Sequence, residues 1–132
     1  MNQSGCSTYS LMTWPILVDH FKTINDIMRW IDNNTESKLS IDIITEKSGY
    51  SKWHLQRIFK QHVGVTLGEY IRISRIYCVA EKLRLSQESI MAIAIRYHYD
   101  SQQTLTRIFK YYFKTTPSAY RKSNNIAPNY KN

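Results

Sequence analysis

Cysteine is scarce in this sequence. Cys6 and Cys78 are its two cysteines, and no short ligand spacing joins them to each other or to the four histidines. We therefore expect neither a disulfide framework nor a bound metal ion, and a reducing compartment suits the two thiols.

Long hydrophobic runs and basic residues near the start of the sequence are also missing. The apolar stretch from Leu11 to Val18 is short and is broken by Pro15, and the first basic residue is Lys22. A secretory signal has a basic start before its apolar core, and a membrane-spanning helix needs about 20 apolar residues. We therefore expect a cytoplasmic protein that makes no use of a membrane.

The usual catalytic motifs are absent from the sequence as well. Its four glycines form no phosphate-binding loop, and neither a Ser/His/Asp or Cys/His set nor a pair of cleft acids can be recognised. We expect a protein that is not an enzyme and that binds no cofactor.

Acidic residues are few, and two basic segments contain none. The 18 Lys and Arg outnumber the 10 Asp and Glu and give a net charge of +8. The stretch from Lys47 to Gly68 has four basic residues and no acid, and the stretch from Ser101 to Lys122 has five and no acid. Such local positive charge predicts a polyanionic partner, and nucleic acid is the leading candidate.

These two basic stretches contain a repeated decad. The segment Ser51–Lys60 returns fifty positions later as Ser101–Lys110. Identical residues are Leu55, Arg57, Ile58, Phe59 and Lys60 in the first copy, and Leu105, Arg107, Ile108, Phe109 and Lys110 in the second. As a helix capped by its serine, each decad has one apolar and one polar face. The inner faces would hold Leu55, Ile58, Phe59 and His62, and then Leu105, Ile108, Phe109 and Tyr112.

The outer face of each predicted helix has the chemistry of a major-groove reader. Its residues would be Trp53, Gln56, Arg57 and Lys60 in the first copy, and Gln103, Thr106, Arg107 and Lys110 in the second. Arginine can bond guanine through two hydrogen bonds, glutamine can do so with adenine, and an indole or a threonine methyl can pack on a thymine methyl. An ordinary amphipathic surface helix would explain one decad, but its return in the same register favours a DNA-binding pair.

Spacing and capping signals predict an all-α fold of about seven helices. The helices are expected to begin at about Asp19, after Ser40, after Ser51, at Leu67, after Ser89, after Ser101 and at Pro117. Gly49 is placed to turn the chain sharply between two helices, which is the helix-turn-helix arrangement. The predicted segments are a flexible arm (1–18), a first helix-turn-helix subdomain (19–66), a connector helix (67–85), a second helix-turn-helix subdomain (86–123) and a flexible tail (124–132).

The two decads and their flanks resemble the AraC/XylS family of bacterial regulators. The matching segments are Gly49–Arg57, Asp100–Arg107, Phe109–Lys110 and Pro117–Arg121. The likeness covers about residues 20 to 124 and is greatest for the small single-domain members of the family. It implies a monomer of seven helices, with two helix-turn-helix units joined by a long helix and no small-molecule effector domain. It also implies binding to an asymmetric promoter site and recruitment of RNA polymerase, which would activate genes for antibiotic resistance and stress tolerance.

The resemblance assigns roles to individual residues by motif position. The residues expected to contact DNA bases are Trp53, Gln56, Arg57, Gln102, Gln103, Thr104, Thr106 and Arg107. Phosphate contacts are expected from Ser51, Lys52, Lys60, Ser101, Lys110 and Arg121. His98 departs from the family pattern, because the second turn often has glycine there. Histidine tolerates a positive φ better than most residues, so the turn is expected to form with some strain.

Two rival functions stay open at this point. An architectural protein would use the same positive charge but would read DNA shape with little preference among sequences. A repressor would use the same DNA contacts at a different place relative to the promoter. Competition with random DNA at fixed salt separates the first rival from a sequence-specific regulator.

The length of the connector helix predicts that the bound DNA is bent. About eighteen residues at roughly 1.5 Å each make a rod of about 27 Å, whereas major grooves on one face of the duplex lie about 34 Å apart. Two reading helices held rigidly by this rod would either bend the DNA or leave one helix incompletely inserted. We predict bending, at a cost of a few kcal/mol that additional contacts offset. A gel-shift phasing or fluorescence-transfer assay should detect the bend, and straight DNA with both helices engaged would contradict it.

Overall fold

A computed structural model describes residues 15–125, with side chains described from His20 onward. Within this range the chain forms seven α-helices and no strand. They are α1 (Pro15–Asp32), α2 (Ile41–Ser48), α3 (Lys52–Val63), α4 (Leu67–Leu85), α5 (Ile90–Arg96), α6 (Gln102–Phe113) and α7 (Pro117–Asn124). The all-α fold of about seven helices expected from the sequence is confirmed.

Each helix from α2 to α7 begins after a serine or threonine that caps it. The cap hydroxyl accepts a hydrogen bond from the backbone N–H three residues later, a donor with no partner inside the helix. The capping residues are Ser40, Ser51, Thr66, Ser89, Ser101 and Thr116. These signals are local in the sequence, which is why the helix starts were predictable.

The turn before each outward-facing helix contains a residue with positive φ. Gly49 has φ 82° in the first turn, and His98 has φ 66° in the second. The sequence predicted backbone strain at His98. Its ring Nε2 lies at hydrogen-bond distance, 2.8 Å, from the carbonyl oxygen of Glu36, and this contact offsets part of that strain. The second turn therefore forms without glycine, as the sequence predicted.

The chain divides into two compact units. Among the described residues, the first contains residues 15–33 together with Ser40–Glu69, and the second contains Asn34–Leu39 and residues 70–125. Helix α4 begins in the first unit and continues in the second. The loop Asn34–Leu39 was predicted in the first subdomain, and that assignment is wrong. The guanidinium of Arg75, on α4, donates to the carbonyl oxygens of Thr35 and Ser37 at 3.2 and 2.9 Å and holds the loop in the second unit.

Each unit has its own core, and the inner face of α3 or α6 is part of it. In the first unit, Leu55 and Phe59 of α3 are fully buried, as are Ile24, Ile31 and Ile44 to within 1%. In the second unit, Leu105 and Phe109 of α6 belong to one cluster with Ile76, Val79, Leu83 and Ile93. Burial of the inner faces fixes which side chains of α3 and α6 remain outside.

The structure corrects both predicted chain ends. Helix α1 begins at Pro15, so residues 15–18 are helical rather than part of an arm; proline suits the first helical turn, where its missing N–H would have no partner. At the other end, Asn124 closes α7, and the Asn125 amide donates to the carbonyls of Leu83 and Ser86 at 2.8 and 2.9 Å. These two residues are anchored, contrary to the predicted tail. The rest of the predicted arm and tail, residues 1–14 and 126–132, lies outside the described residues.

Candidate nucleic-acid interface

The outer face of α3 presents three long side chains to solvent. Trp53, Arg57 and Lys60 are exposed, and Gln56 is half-buried beside them. The Arg57 guanidinium carbon lies 5.0 Å from the centre of the Trp53 ring, over its face. This face therefore offers hydrogen-bond donors and one aromatic surface, and no carboxylate.

His62 does not lie on the inner face of α3, where the sequence placed it. Its side chain is exposed, and the centres of its ring and of the exposed Phe21 ring lie 5.9 Å apart in an edge-type arrangement. His62 is in the last turn of α3. Helical spacing gives the direction of a side chain but not where the neighbouring helix ends.

The start of α3 holds two of the predicted phosphate ligands. Ser51 is exposed, and its hydroxyl oxygen accepts the His54 N–H at 3.2 Å, which leaves its own O–H to donate. Lys52 pairs with Asp42 of α2 at 2.8 Å, and both side chains are more than half exposed. An exposed ion pair of this kind is worth about 1 kcal/mol or less, so a phosphate can replace the carboxylate at little cost.

The outer face of α6 lines a surface depression of about 540 Å³. Its lining residues are Met91, Gln102, Gln103, Thr106, Arg107 and Lys110. Gln102, Gln103, Arg107 and Lys110 are exposed and Thr106 is half-buried, so the structure brings most of the second predicted set together. The depression combines amide and guanidinium donors with an ammonium at one end.

Thr104 and Ser101 are set back from this depression. Both are half-buried, and their hydroxyl oxygens lie 3.0 Å apart. Ser101 also accepts the Thr104 N–H at 3.0 Å and so caps the helix. Both hydroxyls therefore already have partners within the protein. Their predicted contacts with base and phosphate stay predictions.

Met91 is the lining residue that the sequence analysis missed. It is on α5, it is 55% exposed, and it is the apolar residue among those that line the depression. It lies off the apolar stripe of Ile90, Ile93 and Ala94, which was a signal that it faces solvent. Only the fold places it beside α6.

Arg121 is not at the surface, and its burial argues against the phosphate contact predicted for it. The side chain is 8% exposed, and its Nε donates to the carbonyl oxygen of Leu83 at 3.2 Å. Leu83 is in the last turn of α4, where helix carbonyls carry partial negative charge and lack partners within the helix. Arg121 therefore links α7 to the end of α4 through this hydrogen bond.

Charge and composition limit what the described residues can do chemically. Among them, no carboxylate forms an ion pair with Arg57 or Arg107. No three His, Cys, Asp or Glu side chains of the described part gather into a possible metal site. Within the same part, no helix combines the length and apolarity needed to cross a membrane. The two donor-rich faces fit a polyanion with readable hydrogen-bonding edges.

Comparisons with known proteins agree with this geometry. A profile of the helix-turn-helix domain family matches residues 44–123. The multiple antibiotic resistance protein MarA of Escherichia coli (strain K12) is 52% identical over 102 residues, which are 77% of this chain and 80% of that protein. The transposon Tn10 TetD protein of Escherichia coli is 47% identical over 104 residues, 79% of this chain and 75% of that protein.

A solved structure shares the fold. It is a transcriptional regulator from Chromobacterium violaceum, described as AraC-type DNA-binding domain-containing, with a TM-score of 0.73 and 24% identity. The match covers 78% of this chain and 92% of that one. The resemblance stated from the sequence is confirmed at the level of the whole domain.

Proposed function

Because this chain belongs to the AraC-type helix-turn-helix family of DNA-binding transcription regulators, we propose that it is a monomeric activator acting at asymmetric promoter sites. Each unit inserts its own helix, α3 or α6, into a major groove, and the two grooves are adjacent on one duplex. The observation that carries this proposal is the pair of acid-free, donor-rich faces, each backed by a buried inner face. Since the two faces differ in sequence, the site they read has no two-fold symmetry.

The role of each face follows from the chemistry of its exposed groups. On α3, Trp53, Gln56 and Arg57 meet base edges, and Lys60 meets phosphate. On α6, Gln103, Thr106 and Arg107 meet base edges and Lys110 meets phosphate, with Gln102 at the start of the helix. The ring of Trp53 and the methyl of Thr106 supply apolar surface of the kind that suits a thymine methyl.

The cellular role is proposed from the relatives. MarA is a multiple antibiotic resistance protein by name, and about half of its aligned residues are shared with this chain. We infer that this chain recruits RNA polymerase to promoters of multidrug-resistance or stress genes. It acts in the cytoplasm, on the nucleoid, and it performs no catalysis.

The proposal is tested by selecting the DNA sequences that the protein binds from a random pool and then footprinting the most enriched sequence. We expect one asymmetric consensus with two protected major-groove segments. Random DNA at the same salt concentration should compete poorly with this sequence. Equal competition by random DNA would favour an architectural protein instead. Transcription with purified RNA polymerase on the winning promoter then separates an activator from a repressor, because the two change the transcript level in opposite directions.

Lys60→Ala should weaken binding to all DNA sequences alike. An ammonium group at a phosphate releases counterions but reads no base, so the slope of log affinity against log salt should fall by about one. Fluorescence anisotropy titrations on specific and random duplexes at several salt concentrations measure this. Lys22→Ala is the matched control, since Lys22 pairs with Asp26 on α1 at 3.2 Å and is not on a reading face. A Lys60 variant that loses affinity for the specific duplex alone would contradict the phosphate role.

A further inference from the structure

Trp53 exposes a large ring to solvent. It is 70% exposed although it stands on a helix whose inner face is fully packed. Single exposed apolar side chains are common on protein surfaces and need no special account. What sets Trp53 apart from other exposed aromatic residues is that the cation over its ring, Arg57, is one of the predicted base-contacting residues.

The Arg57 guanidinium lies over the face of the Trp53 indole. The distance from the guanidinium carbon to the ring centre is 5.0 Å, and the two residues are four positions apart on one helix. The negative face of an indole attracts a cation at this distance, and side chains four apart are neighbours on a helix surface. The ring therefore restricts a side chain that would otherwise have many rotamers.

The guanidinium carbon lies over the ring, and no hydrogen bond to a described residue occupies the guanidinium N–H groups. Two-point recognition of guanine needs the planar N–H edge of arginine, whereas stacking on a ring needs its flat side. The carboxylate of Asp42, in the first turn of α2, is paired with Lys52 at 2.8 Å. Among the described residues, no ion pair draws Arg57 away from the ring.

The second reading helix lacks this arrangement. Fifty positions after Trp53 the residue is Gln103, so Arg107 has no ring at the equivalent place. Arg107 lies instead in the depression with Gln103, Thr106 and Met91. The two arginines thus have different surroundings, although the decads around them repeat.

We infer that Trp53 is a positioning residue for Arg57, and that its ring orients the guanidinium edge for one guanine before DNA arrives. This inference rests on the proposed function and adds a division of labour within α3. An arginine that is already ordered loses less conformational freedom on binding, so more of its hydrogen-bond energy appears as affinity. Direct packing of Trp53 on a thymine methyl is the competing role.

Two substitutions at position 53 separate positioning from packing. Trp53→Phe keeps an aromatic face for the guanidinium, whereas Trp53→Leu keeps apolar bulk and loses the face. The base read by Arg57 is defined as the position where Arg57→Ala relaxes the preference for guanine. We expect Trp53→Leu to lower that preference about two- to fivefold, the range of an exposed cation–π contact, and Trp53→Phe to retain most of it.

The test is a double-mutant cycle measured on duplexes that differ at this one base pair. In the Arg57→Ala background, Trp53→Leu should have no further effect on the guanine preference. Tyr111→Leu is the matched control on α6, because its ring is 69% exposed and has the Lys114 ammonium 5.4 Å from its centre, and it should leave the preference at that base unchanged. Thermal unfolding of each variant checks the fold, which a change at a 70% exposed side chain should not disturb.

The possible failures can be told apart. If the wild-type protein had no preferred DNA sequence, the proposed function itself would be contradicted. A wild-type protein that prefers guanine, with Trp53→Leu keeping the full preference, would overturn the positioning role alone. If replacing individual thymines by uracil weakens the wild type but not Trp53→Leu, and the guanine preference is unchanged, Trp53 acts by packing on a methyl group.

Discussion

Alanine in place of Arg121 should lower the free energy of unfolding by about 2 to 4 kcal/mol, because a charged hydrogen bond and a packed side chain are lost together. The guanidinium is 8% exposed and donates to the Leu83 carbonyl at 3.2 Å, so the substitution removes the bond between α7 and the end of α4. The affinity of the remaining folded protein for DNA should stay close to that of the wild type. Chemical denaturation followed by circular dichroism, with anisotropy titrations at a temperature where both proteins are folded, measures the two quantities.

Two further variants sharpen this experiment. Lys122→Ala removes the same charge from the exposed neighbouring position and should leave the unfolding free energy within about 0.5 kcal/mol of the wild type. Arg121→Met keeps much of the volume and also removes the Nη2 group, which is buried and has no hydrogen-bond partner among the described residues. It should therefore be more stable than Arg121→Ala. If Arg121→Ala instead kept full stability and lost affinity for all DNA, the phosphate role first expected from the sequence would be restored.

Arg57→Ala should weaken binding to the preferred site by about 1 to 3 kcal/mol, the range for one two-point contact with guanine. The loss should appear as relaxed preference at a single base pair, because the guanidinium edge reads one base. Random DNA should be bound only slightly less well, through the loss of one positive charge. Parallel titrations on the preferred site, on sites with each base pair changed and on random duplex measure this pattern.

Arg29→Ala serves as the control for Arg57→Ala. Arg29 is exposed on α1 and pairs with Asp26 at 2.9 Å, so its removal changes the net charge equally without touching a reading face. Arg107→Ala should relax the base preference at a different position of the site, since α6 has its own base-contacting residues. Equal losses on preferred and random DNA for Arg57→Ala would show that this residue meets phosphate, and the assignment of the α3 face would have to be abandoned.

Much of the candidate site could be predicted because its signals lie within single helices. The serine of each decad, the apolar residues three and four positions apart and the long polar residues between them define a capped helix with two faces. Trp53, Arg57, Lys60, Gln103, Arg107 and Lys110 were expected to face outward, and all six are exposed. Whether they contact bases or phosphates stays a prediction.

The errors share a different cause. Arg121 looked like one more surface cation in a basic segment, but its partner is 38 positions away in the sequence. Met91 was missed because its place beside α6 depends on how α5 packs. The loop Asn34–Leu39 follows α1 in the chain yet is held by Arg75, about 40 positions further on. None of these contacts leaves a periodic trace in the sequence.

The sequence by itself determined the helices, their caps and the donor-rich character of two repeated faces, because hydrogen bonding and helical periodicity act over three or four residues. Only the tertiary structure decided that Arg121 is an internal fastener, that Met91 lines the depression of α6 and that the loop after α1 belongs to the second unit. It also showed the Arg57 guanidinium over the Trp53 ring, since spacing allows this contact but does not select the rotamers. Contacts between distant segments depend on how whole helices pack against each other, and that packing is a property of the folded core rather than of any local stretch of sequence.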